Sequence, residues 1–122
     1  MNGRARLLAV TAALALMLLV APAAAEASWG ALAIDPETGK LGYARNESSA
    51  PRAQERARAE CGTGHCKVAV WVFNGYGALV QKKNGLYFAG LGETQAKAFR
   101  NARKHANDGK ARKVAWVFSG YS

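Results

Sequence analysis

His65 and His105 are the only imidazoles in the 122-residue chain, and Cys61 and Cys66 the only thiols, so nucleophilic, redox or metal chemistry has few side chains to draw on. His65 lies in a glycine-containing loop between the cysteines, and His105 lies near the end of an expected helix, where a cation is favoured. Neither has a neighbouring serine or acid that would complete a triad. Asp35, Glu37 and Glu47 sit in or beside turns, as solvated loop acids do. The cysteines are spaced more widely than the Cys-x-x-Cys of thiol exchange, and with His65 they supply at most three ligands where a metal wants four. They read as a structural bridge, and no cofactor or metal is expected. A small secreted enzyme using His65 or His105 stays as the alternative reading.

The basic residues are the stronger lead. From Ser28 to Gly75 the chain carries six basic and five acidic groups, a net +1, whereas Tyr76 to Ser122 carries nine and two, a net +7. Such asymmetry points to an anionic partner. Helical spacing puts Lys97, Arg100 and Lys104 on one stripe with Arg103 beside it, and Lys110, Arg112 and Lys113 follow in the next loop and strand. A merely solvated helix face is the plainer reading of such a run. Nucleic acid fits the charge but finds no recognition motif here.

The first residues have the order that export machinery reads. Arg4 and Arg6 precede an apolar run from Leu7 to Val20, broken only by Thr11 and too short for a membrane anchor. Small residues then offer cleavage before Glu26 or before Ser28, and the second is preferred because Trp29 already reads as a strand. Met1 to about Ala27 is therefore expected to be a signal peptide, and residues 28–122 one small domain. No transmembrane anchor is expected after processing. The rival is a retained membrane helix. Two cysteines in an oxidising compartment read as a disulfide.

What positions the basic residues is a duplication. Trp71-Val72-Phe73-Asn74-Gly75-Tyr76 recurs as Trp116-Val117-Phe118-Ser119-Gly120-Tyr121, and the offset of 45 runs back to match Ala57 with Ala102, Ser49 with Thr94 and Leu41 with Leu86. The units are about 28–75 and 76–122, each reading strand, turn, strand, helix, strand. The first has strands at Trp29–Ile34 and Lys40–Arg45 around the Pro36/Gly39 turn. A helix capped at Ser49 and stopped by Gly62 follows, then a strand over Lys67–Phe73. Asn74-Gly75 is expected to make a tight hairpin into the second unit. That unit has strands at Tyr76–Lys82 and Leu86–Gly90, a helix from about Gln95 to Ala106, and a strand over Lys113–Phe118. The expected product is α+β, a mostly antiparallel sheet with two helices on one face.

The offset places Cys61 opposite Ala106 and Cys66 opposite Ala111, so a bridge would tie the first helix to the strand it feeds. Trp71, Phe73, Trp116 and Phe118 fall on one strand face in each copy. They are expected to fill the space beneath alanine-faced helices, because large and small residues pack in complement. The alternative is an exposed platform for a sugar or peptide.

Assembled in order, Gly30-Ala31-Leu32-Ala33, the helix end Ala57 to Cys61, the loop Gly62 to Gly64 and Cys66-Lys67-Val68-Ala69-Val70-Trp71 resemble DUF4189, a family of small secreted bacterial proteins of unknown function. The likeness covers Trp29 to Ser122. Members often carry further cysteines where this chain has Ala106, Ala111, Tyr76 and the Phe118-Ser119 region, so the resemblance carries over only the Cys61–Cys66 bridge. It implies architecture and export but no activity. The functional expectation is a secreted, non-enzymatic binding module. Its partner would be an anionic cell-envelope polymer, a lipid surface or an acidic protein.

Overall fold

A computed structural model describes residues 28–120. Met1 to Ala27, where the signal-peptide reading falls, lies outside the described residues. The chain forms β1 (Trp29–Ile34), β2 (Leu41–Glu47), α1 (Ala50–Cys61), β3 (Lys67–Phe73), β4 (Gly75–Gln81), β5 (Tyr87–Gly92), α2 (Gln95–His105) and β6 (Arg112–Ser119). The α+β class and the repeated strand-strand-helix-strand order are as the sequence indicates. Ser49 Oγ accepts the Arg52 amide at 3.3 Å and Thr94 Oγ1 accepts the Lys97 amide at 3.1 Å, so each helix starts on the cap its own copy supplies.

The sheet is not single. The strands divide into two antiparallel three-stranded sheets, ordered β2-β1-β3 and β5-β4-β6, and the helices do not share a face. Alternation decides the layers. Leu32, Ile34, Val70 and Val72 point from the first sheet onto Leu79, Ala115 and Val117 of the second, forming a core between the sheets. Ala31, Ala33 and Ala44 point the other way onto Ala53, Ala57 and Cys61 of α1. Ala78 and Val80 likewise meet Ala98, Phe99 and Ala102 of α2. The order is helix, sheet, sheet, helix.

The expected Asn74-Gly75 hairpin does not form, which explains the division. Asn74 alone is left-handed (φ 48°), and Gly75 is already the first residue of β4. One left-handed residue turns the chain from one sheet into the other instead of pairing β3 with β4. The duplication survives in finer detail. The β1/β3 register skips Ala69 and the β4/β6 register skips Val114, so a β-bulge sits at the same place in both units.

Cys61 and Cys66 form a disulfide with Cα atoms 6.2 Å apart. Their counterparts Ala106 and Ala111 are buried in the second helix–sheet core, so a covalent tie in one copy stands where apolar contact serves in the other. Closing so short a loop contributes about 2 kcal/mol by chain entropy. Thr63, between the cysteines, donates its hydroxyl to Asp35 Oδ2 at 2.7 Å. That hydroxyl is the main reason the buried Asp35 carboxyl lies below its ordinary pKa, helped by the Glu37 amide.

The helices sit very close to their sheets. A Cβ on Gly42 would fall on the Ala57 carbonyl and the Cys61 amide, and one on Gly90 on the Ala102 amide. α1 packs chiefly on β1 and β2 and α2 on β4 and β5, and Trp71, Phe73 and Trp116 on β3 and β6 stay open. The four aromatic residues therefore do not fill the space beneath the helices. Trp71 and Phe73 are each 49% exposed and Trp116 is 44% exposed. Phe73 packs against Trp29 at 5.0 Å between ring centroids, and Phe118 against Tyr76 at 4.8 Å. The helices approach their sheets too closely at Gly42 and Gly90 to leave room for these side chains, and the Trp71 and Trp116 indoles stand exposed outside the helix–sheet cores.

Candidate functional site

The basic residues divide around the turn that joins α2 to β6. Phe99 anchors α2 and is only 3% exposed. Lys113, on β6, holds its ammonium 4.9 Å from the centre of the Phe99 ring, a cation–π contact. Arg103 donates Nε–H to the Ala111 carbonyl at 3.0 Å. These two contacts bring helix and strand cations together. Arg100, Arg103, Lys104 and Lys113 line an open depression of about 620 Å³, completed by Asn107, Asp108 and Gly109. The side chains of Arg100 and Lys104 are exposed and make no ion pair or hydrogen bond among the described residues. Their charges are free to meet a ligand.

Lys97 does not join this cluster. It pairs with Glu93 at 3.7 Å, an exposed contact one turn back along the helix that contributes little energy. Lys110 and Arg112 face a second depression of about 440 Å³, which they share with Lys82, Lys83 and Gln81. The Arg112 guanidinium donates to Gln81 Oε1, and Lys110 donates its amide to Asp108 Oδ1 at 2.9 Å. Lys82, the last residue of the strand expected over Tyr76–Lys82, and Lys83 just beyond it are not among the basic residues the sequence singles out. The signal was available, because the antiparallel β4/β6 pairing sets Gln81 opposite Arg112 and so brings the lysines after it to the same end.

The histidines lie in different settings. His65, exposed on the disulfide loop, has Nε2 4.0 Å from the Glu37 carboxylate. His105 ends α2 with Nδ1 2.6 Å from the Ala89 carbonyl, which pins the helix end to β5. The described residues contain no group of three metal-ligating side chains. Nor do they contain a helix long and apolar enough to cross a membrane. The disulfide is compatible with an extracytoplasmic setting.

The related surface of the first unit differs in charge. There the offset of 45 sets Glu55, Arg58, Ala59 and Val68 in place of Arg100, Arg103, Lys104 and Lys113, one acid and one base where the second unit has four bases. An open groove of about 490 Å³ also lies beside the uncovered strand of that unit, walled by Trp29, Trp71, Phe73 and Leu91.

The model for the family described as a domain of unknown function, DUF4189, matches residues 29–118. The NMR structure of Rv1813c from Mycobacterium tuberculosis is similar, with a TM-score of 0.58 and 27% identity over 80% of each chain. None of the curated proteins compared with the chain matches it in sequence.

Proposed function

The chain belongs to the DUF4189 family, and on that footing we propose that it is a secreted, non-enzymatic binding module that docks its second unit on an anionic component of the cell envelope. The observation that carries this reading is the depression in which Arg100, Arg103, Lys104 and Lys113 surround a single carboxylate, Asp108. The first unit keeps the same fold but carries only one base, Arg58, and one acid, Glu55, at the four matching positions, so the fold alone does not require this concentration of charge. Potentials of one sign in a concave surface raise local counter-ion concentration and steer association.

Salt is the test. Binding of the oxidised protein to envelope fractions should fall by at least about tenfold between roughly 0.05 M and 0.5 M salt, because exposed charges are screened over shorter distances as ionic strength rises. Binding that ignores salt would remove the basic face from the explanation.

Export rests on the charged, apolar and small-residue order of Met1 to Ala27 together with the disulfide. Secreted material should begin at Glu26 or Ser28 by N-terminal sequencing. Retention of Met1 in that material would contradict export by cleavage.

A further inference from the structure

We propose that the ligand of this face is a linear polymer with phosphate in its backbone, which crosses the 108–110 turn and occupies both depressions. The inference rests on the binding reading above and adds the chemical class of the ligand. Among their lining residues the two depressions share only Asp108. The turn is thus a ridge with cations on both flanks: Arg100, Arg103, Lys104 and Lys113 on one side, Lys82, Lys83, Lys110 and Arg112 on the other.

Ligand shape follows from that placement. A single small anion fills one flank and leaves the other four cations unused. A flexible chain of repeated charges can pass over the turn and be held on both sides, and the second engagement is then intramolecular and strengthened by effective concentration. Guanidinium forks and mobile ammonium groups both suit phosphate oxygens. The face also lacks what single-stranded nucleic acid would use, since Phe99 is buried beneath Lys113 and Phe88 is half-buried with Lys82 Nζ 5.9 Å from its ring centre. Bases would find no open aromatic surface to stack on.

The experiment is a calorimetric titration of the oxidised, secreted protein with orthophosphate, tripolyphosphate and long-chain polyphosphate. Affinity per chain should rise by more than about tenfold from tripolyphosphate to the long chain, as two linked contacts require. Lys82→Glu/Lys83→Glu, with Lys82→Gln/Lys83→Gln as a milder pair, should remove that length dependence while tripolyphosphate still binds. Near-ultraviolet circular dichroism checks that each variant is folded. Affinity independent of length, or no effect of either lysine pair, would confine the ligand to the first depression and overturn the inference while leaving the site itself standing. Tighter binding to anionic vesicles than to any polyphosphate, or equal binding of an oligonucleotide of matched charge, would also overturn it. Failure of every anionic probe to bind would instead remove the underlying function.

Discussion

Replacing Gly90 by alanine is expected to lower the free energy of unfolding by about 3 kcal/mol, the upper part of the usual overpacking range. The added Cβ would fall on the Ala102 amide and lie 2.7 Å from the Ala98 carbonyl oxygen. These are backbone atoms of α2 and cannot rotate aside, so the helix must lift from β5. Lifting it opens the contact that buries Ala78, Ala98 and Ala102. It also displaces Arg100, Arg103 and Lys104, which makes the close approach a condition for the basic depression as well as for stability. Gly109→Ala is the control, because a Cβ there meets nothing within 4 Å and the residue has no positive φ. That change should stay within about 0.5 kcal/mol of the unsubstituted protein. Urea unfolding of both variants decides the matter. A Gly90→Ala protein as stable as the control would show that the helix is not seated as described.

The repeat made much of this fold legible. Recurrence of the Trp-Val-Phe strand, matched caps at Ser49 and Thr94, and small residues opposite the cysteines gave the order of elements and nearly all their ends. The division into two sheets was missed because Asn74-Gly75 has the composition of a hairpin. A counter-signal was present in Ala31-Leu32-Ala33-Ile34 and Ala78-Leu79-Val80, runs with no polar face, which suit central strands buried on both sides. The exposed aromatics were missed for a tertiary reason. Gly42 and Gly90 bring the helices close to their sheets, and no periodicity within β3 or β6 reports that distance.

The candidate site was half legible. Helical spacing gathers Arg100 and Lys104, and the sequence gives their charge. Lys113 joins them only because β6 runs beside α2 and Phe99 holds its ammonium, which is a fact of packing. Lys97 shares the stripe yet turns toward Glu93, as an acid four residues earlier allows.

If anionic ligands are held by the second unit, charge reversal there must weaken their binding far more than the same reversal in the first unit. Arg100→Glu/Lys104→Glu changes the first depression by four charge units at two exposed positions whose side chains make no ion pair or hydrogen bond among the described residues, so the fold should be kept. Long-chain polyphosphate binding should fall by more than about 100-fold at low salt, since reversal replaces attraction by repulsion at close range. Arg52→Glu/Arg58→Glu makes the same change in net charge on the exposed side of α1, where Arg52, Arg56 and Arg58 stand beside Glu55 and Glu60. It lowers the whole-molecule charge equally, and so controls for long-range attraction. The measurement is the ratio of dissociation constants for the two double variants. A loss confined to the Arg100/Lys104 variant is the expected result. Equal losses would mean that net charge alone attracts the ligand, and would contradict a binding site on the second unit.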